Sequence, residues 1–156
     1  MTAAIALDEE PAQETLELLR STGTEAMSCT GSVVEPGFAE RFISTAVDTW
    51  GVPDIIINNA GYTWDNVIQK MTDEQFQAVL DVDLTAPFRI LRAAAGPIRE
   101  AAKREKADNR EIFRKIVNIS STSGVFGNAG QANYSSAKAA IVGLTRAMSR
   151  EWGRYK

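Results

Sequence analysis

The chain has 156 residues with a hydrophobic fraction of 44%, including three Trp and six Phe, which is enough apolar material for one packed domain spanning residues 1–156. A formal net charge of −3 leaves no basic footprint for nucleic acid or an anionic membrane surface, so neither partner is expected. One cysteine, Cys29, and the absence of histidine exclude an intrachain disulfide framework and a Cys/His zinc site, and they fit a reducing cytoplasm.

The opening stretch MTAAIALDEEP turns acidic too early for a signal-peptide core, and nothing later approaches about 18 uninterrupted apolar residues. No targeting or membrane segment is therefore expected. DEEPAQETLELLR, residues 8–20, starts acidic and sets Leu16 and Leu19 on one side, predicting a helix that Gly23 ends. A short apolar strand follows near EAMSC, 25–29. In PGFAERFISTAVDTW, 36–50, Phe38, Phe42, Ala46 and Trp50 recur at four-residue steps before Gly51, the pattern of an amphipathic helix. DIIIN, 54–58, has three consecutive isoleucines without polar alternation, which predicts a strand buried on both faces. TDEQ, 72–75, is a capping box that opens a long helical region through residue 106, with bends at Pro87 and Pro97. The charged stretch 99–115 mixes both signs at helical spacing and reads as a solvated helix and turn. KIVNIS, 115–120, is a second buried strand, and Ala137, Ile141, Leu144 and Met148 mark a final helix from Tyr134 to about Trp152. Strands alternating with helices imply right-handed crossovers and an open parallel sheet of the doubly wound α/β class.

Ligands of such sheets bind beyond the carboxyl ends of the strands. Two segments open there: NNAG, 58–61, after the first buried strand, and SSTSGVFGNAGQANY, 120–134, after the second. Gly124, Gly127 and Gly130 are spaced Gly-x-x-Gly-x-x-Gly, whereas a dinucleotide fingerprint needs a Gly-x-Gly pair, so this loop reads as a flexible wall over a pocket. By itself NNAG is a strand-ending turn. In YSSAK, 134–138, a helix would put Tyr134 and Lys138 on one face with Cβ atoms about 5–6 Å apart, which alone is an ordinary surface pair. A phenol, with an ordinary pKa of about 10, acts near neutrality only where a cation favours its phenolate, and Lys138 is such a cation. Reduction of a ketone also needs a donor at the oxygen that becomes negative, and Ser120, Ser121 and Ser123 stand at the adjacent strand end.

Taken together these residues resemble the short-chain dehydrogenase/reductase family from about residue 25 onward. NNAG matches its fourth-strand motif, YSSAK its Tyr-x-x-x-Lys signature, and Ser121 lies thirteen residues before Tyr134, as the family's catalytic serine does. The texture of NNAGYTWDNVIQKMTDEQF and GNAGQANYSSAKAAIVGLTRAMSREW is most similar to the 3-oxoacyl-[acyl-carrier-protein] reductase branch. The resemblance implies a Rossmann-like sheet and hydride transfer between NADP or NAD and a carbonyl or secondary-alcohol carbon, with NADPH the cofactor of that branch. It implies that Tyr134 protonates the forming alkoxide, that Lys138 supports the phenolate and holds the nicotinamide ribose, and that Ser121 orients the substrate oxygen. Asn59, Ala60 and Gly61 would line the cofactor beside Tyr134 and Lys138. The implied substrate is a 3-oxoacyl thioester or a related small ketone, and the implied assembly a cytoplasmic homodimer or homotetramer.

Four features depart from the family pattern. Residues 1–24 hold no glycine-rich phosphate loop, and the chain stops at EWGRYK, before the family's further strand and substrate loop. The resemblance therefore implies a partial fold, truncated at both ends. In LDVDLTAPF, Asp83 stands where the family has a catalytic asparagine, and an ionised carboxylate accepts hydrogen bonds but cannot donate them. Ser32 replaces the acidic or amide residue that faces the adenine. These departures leave open a second reading, a non-catalytic family fragment that self-associates through the helices around 76–104 and 134–152.

Overall fold

The computed structural model describes residues 1–6 and 9–155; Asp8, the first residue of the predicted N-terminal helix, lies outside the described residues with Leu7 and Lys156. Strand β1 (Thr2–Ala6) leads through helix α1 (Glu9–Ser21) to β2 (Ala26–Thr30), and the two strands pair in parallel, Thr2 opposite Ala26 and Ala6 opposite Thr30. Sequence reading finds β2 and α1 but not β1, because TAAIA is mostly alanine, a weak strand former. Its partner, rather than its own propensity, makes it a strand.

Helix α2 (Phe38–Trp50) connects this pair to a second one, β3 (Ile55–Asn58) and β4 (Lys115–Asn118), parallel with Ile55 opposite Lys115 and Asn58 opposite Asn118. The buried stripe of α2 is Phe38, Ala39, Ile43 and Ala46, while Phe42 and Trp50 are half-buried. It is thus rotated slightly from the predicted four-residue row.

Between β3 and β4 the chain forms α3 (Asp73–Leu80), a π-helical turn (Asp81–Thr85) and α4 (Ala86–Ala107). The capping box is present: Thr72 Oγ1 accepts from the Gln75 N–H at 3.1 Å and Gln75 Oε1 accepts from the Thr72 N–H at 3.1 Å. The predicted disturbance at Pro87 appears as the π-helical turn. Proline has no N–H to give the Asp83 carbonyl four residues back, and the widened turn lets the Ala86 N–H reach the Asp81 carbonyl instead. α4 continues through Pro97. Helices α5 (Thr122–Phe126) and α6 (Ala132–Trp152) follow β4, and a 3₁₀ turn (Gly153–Tyr155) follows α6. Among the described residues no helix is long and apolar enough to cross a membrane.

The core joins Ala39 and Ile43 of α2, Ile56 of β3, and Ile90, Leu91, Ala94 and Ile98 of α4, with Ile5, Ile116, Leu144 and Met148 packed against it. Each of the larger side chains stabilises the fold by about 1.5–3 kcal/mol through burial. All of this packing lies on one side of β3 and β4. Side chains alternate along a strand, so Ile56 and Ile116 point into the core while Ile55 (60% exposed), Ile57 (61%) and Val117 (40%) point away from it. The expectation of two-sided burial for DIIIN and KIVNIS is therefore corrected, since α2, α4 and α6 all pack on the same face. The charged stretch is solvated through most of its length, but Arg114 and Glu105 form a largely buried fork, with Nη1–Oε2 2.9 Å and Nη2–Oε1 2.6 Å.

Candidate active site

The carboxyl ends of β3 and β4 are welded to each other and to α6 by polar side chains. Asn58 Nδ2 donates to Asn118 Oδ1 at 2.7 Å, and Asn118 Nδ2 donates to Thr145 Oγ1 at 2.8 Å. These asparagines are legible only as the like endings of two apolar strands; their partnership comes from the register.

Lys138, one helical turn along α6 from Tyr134, is almost fully buried. Its ammonium donates to the Ile119 carbonyl at 2.8 Å, faces Asp83 Oδ1 at 2.9 Å, and lies 5.6 Å from the centroid of the Tyr134 ring. Asp83 reaches it from the π-helical turn, with its own side chain fully enclosed. The angle between lysine and carboxylate is not that of a hydrogen bond, so Oδ1 is held by charge alone among the described residues. A lysine ammonium has three donors; the carbonyl and carboxylate account for two directions and one remains.

Turn 59–61 presses against this pair. A Cβ on Gly61 would collide with Asp83 Oδ1 and stand 3.4 Å from Lys138 Nζ, so the turn fits only because residue 61 has no side chain. The Tyr62 N–H makes a long hydrogen bond, 3.4 Å, to Asp83 Oδ2. Burial, and then the charges of Asp83 and Asp81, push the Tyr62 phenol above the ordinary tyrosine range, which keeps it protonated. Asn59 and Ala60 are exposed beside Gly61.

The three candidate serines separate by their partners. Ser120 Oγ donates to the Lys138 carbonyl at 2.7 Å and Ser123 Oγ donates to Gln131 Oε1 at 2.9 Å. Ser121 caps α5 by accepting from the Ser123 N–H at 3.2 Å, which leaves its own proton for another acceptor. Gly124 lets α5 lie flush on α6: a Cβ there would stand 2.6 Å from the Lys138 carbonyl carbon. The loop after α5, expected as a flexible wall, is tied across to loop 62–66. The Asn66 N–H donates to the Gly130 carbonyl at 2.8 Å and Gln131 Nε2 donates to Asp65 Oδ2 at 2.9 Å.

Tyr134, Lys138, Asp83 and Gly61 thus meet at the strand ends, with Ser121 capping the helix packed beside Lys138 and Asn59 and Ala60 forming the exposed lip. This cradle fits the ribose and nicotinamide half of a dinucleotide: a backbone turn free of side chains at its closest point, and a buried ammonium with a donor to spare for a sugar hydroxyl. Sequence reading missed Asn133 and Gln131, whose amides hold the start of α6, because an amide in a glycine-rich loop carries no periodic signal.

A parallel α/β framework with a tyrosine and a buried lysine at its strand ends defines a Rossmann-like protein. The family model for short chain dehydrogenases matches residues 1–156, and the chain belongs to that family of oxidoreductases. It is 39% identical over 133 residues to the hydroxyacyl-CoA dehydrogenase ChsB1 of Mycobacterium tuberculosis, covering 85% of this chain and 41% of that protein. It is 36% identical over 120 residues to the 3-oxoacyl-[acyl-carrier-protein] reductase FabG of Vibrio cholerae, covering 77% of this chain and 45% of the relative. The crystal structure of a short chain dehydrogenase from Mycobacterium avium superposes with a TM-score of 0.82 at 36% identity, covering 92% of this chain and 48% of that one. The chain therefore spans less than half the length of each of these relatives.

Proposed function

We propose that the protein works as an NAD(P)-dependent reductase of 3-oxoacyl thioesters, or in reverse as a dehydrogenase of 3-hydroxyacyl thioesters. The observation that carries this reading is the buried Lys138 ammonium, held between the Ile119 carbonyl and Asp83 beneath the Tyr134 ring. The names of the relatives support the thioester class, since one acts on hydroxyacyl-CoA and the other on 3-oxoacyl groups.

The cofactor, when bound against turn 59–61, supplies or accepts a hydride at the reacting carbon. Tyr134 gives its hydroxyl proton to the oxygen that becomes negative. Lys138 stabilises the phenolate left behind and offers its remaining donor to the ribose. Ser121 donates its free proton to the same substrate oxygen, and Asp83 holds Lys138 against Ile119. NADPH is the reading for the cofactor by likeness to the FabG branch, and the cytoplasm the reading for the compartment. Tyr134→Phe tests the assignment: carbonyl-dependent oxidation of NADPH or NADH should fall by at least about 100-fold, the range of a lost general acid, with the circular dichroism spectrum unchanged. Retained turnover rejects it.

A second reading, a non-catalytic self-associating chain, is favoured by what two helices leave uncovered. α4 exposes Phe88 (45%) and α6 exposes the small residues Ala139, Gly143 and Ala147. The same faces would serve a homodimer or homotetramer of an active enzyme. Titration of the purified chain with NADH and NADPH separates the readings, because only the enzyme requires a cofactor.

A further inference from the structure

Among the described residues three polar or charged residues are buried as a whole: Asp83 (1% exposed), Lys138 (4%) and Asn133 (0%). The first two are the ion pair of the site. Asn133 is neutral and directly precedes Tyr134, and both its amide oxygen and its amide nitrogen have partners. Oδ1 accepts from the Tyr134 N–H at 2.8 Å, while Nδ2 donates to the Trp64 carbonyl at 3.0 Å and to the Gln75 carbonyl at 3.1 Å. The amide has one satisfactory orientation, because the opposite one would turn its oxygen toward two carbonyl oxygens and its NH₂ toward an N–H.

The Tyr134 amide is one of the donors that the first turn of a helix leaves without a partner. Asn133 supplies that partner and at the same time ties the turn to loop 62–66 and to α3. Were this tie lost, the first turn of α6 could fray or rotate, and the Tyr134 ring would leave its position 5.6 Å from the Lys138 ammonium.

We infer that Asn133 is a positioning residue for Tyr134, acting through the backbone of the first α6 turn rather than on substrate or cofactor. The inference rests on the reading of Tyr134 as proton donor. A misplacement of about 1 Å at a reacting group costs about 100-fold in rate, and that is the effect expected here.

The test compares Asn133→Ala with Asn133→Ser, whose hydroxyl keeps an acceptor near the Tyr134 N–H but cannot reach both carbonyls. In the full chain, both should lower kcat by about 100-fold and leave KM for the thioester within about threefold. Ring-¹³C tyrosine labelling gives a readout that needs no turnover: the Tyr134 resonance, assigned by its loss in Tyr134→Phe, should shift or broaden in both variants while that of Tyr155 stays in place. A lower melting temperature with kcat and the Tyr134 resonance unchanged would mean a purely structural amide and overturn the inference. If neither variant folds, amide exchange in the unaltered chain decides. The Tyr134 N–H should be protected despite its place in a first turn, and exchange at the rate of an open N-terminal amide overturns the proposal. Absence of turnover in the unaltered chain would count against the proposed activity, and the resonance and exchange data would still decide the role of Asn133.

Discussion

Two largely buried ion pairs in this molecule are built in opposite ways. Arg114 grips Glu105 with a two-pronged fork, 2.6 and 2.9 Å, at the junction of α4 and β4. Lys138 meets Asp83 at a single point, with Oδ1 outside hydrogen-bond geometry and a lysine donor left over. The fork matches planar donors to planar acceptors, whereas the single contact leaves capacity unused on both partners. Contact geometry, a two-pronged fork against a single ion contact, separates the two pairs, since each also leaves one buried polar atom without a hydrogen-bond partner, Nε on Arg114 and Oδ1 on Asp83.

Removing the cation from each pair gives the sharpest contrast. Lys138→Met strands the Asp83 carboxylate in a fully enclosed place, so stability by urea denaturation should fall by about 3–5 kcal/mol and turnover should vanish. Equal stability in that variant would mean that Asp83 finds other partners. Arg114→Met removes a charge-assisted fork, and here we expect a loss of about 1.5–3 kcal/mol with kcat per folded molecule unchanged. A large fall in kcat would erase the distinction between the pairs.

The next effect is smaller and falls on the pH–rate profile. Asp83→Asn keeps an acceptor for the Tyr62 N–H, supplies an amide donor, and removes the negative charge that faces the Lys138 ammonium at 2.9 Å. Turnover, read across the pH–rate profile, should rise a few-fold. An unchanged profile would make Asp83 a structural partner alone.

The smallest effect belongs to the acid limb of stability. Arg114, first through its hydrogen bonds and also through its charge, holds the Glu105 carboxyl below the ordinary glutamate range. The folded chain then binds that proton less readily than the unfolded chain does. Its contribution is present above the ordinary value of about 4.3 and is lost as pH falls through the lower folded value. Glu105→Gln should therefore flatten the urea midpoint against pH in that window and leave its slope near neutrality unchanged.

Much of this was legible from local chemistry. The capping box at Thr72, the glycine stop after α2, and the helix carrying Tyr134 and Lys138 follow from short-range rules on caps, turns and the 3.6-residue period. So did the opening of NNAG and of segment 120–134 on one edge, because parallel strands present their carboxyl ends together. Two-sided burial of DIIIN was misread because an apolar run says only that a strand can be covered on both faces. Which faces are covered depends on where α2, α4 and α6 pack.

The sequence by itself determined which residues could do chemistry: a chain without histidine, a tyrosine and lysine one turn apart, and a carboxylate before a proline. Only the tertiary structure decided which of them meet. Asp83 and Lys138 are 55 residues apart, and what brings them to 2.9 Å is the packing of a π-helical turn against α6. The thirteen-residue spacing from Tyr134 singles out Ser121 by resemblance, but only the fold shows that Ser120 and Ser123 spend their hydroxyl protons on other acceptors. The physical reason is the same in each case: helix and strand periods act over a few residues, while charge pairing and hydrogen-bond satisfaction depend on atoms that only long-range packing brings within 3 Å.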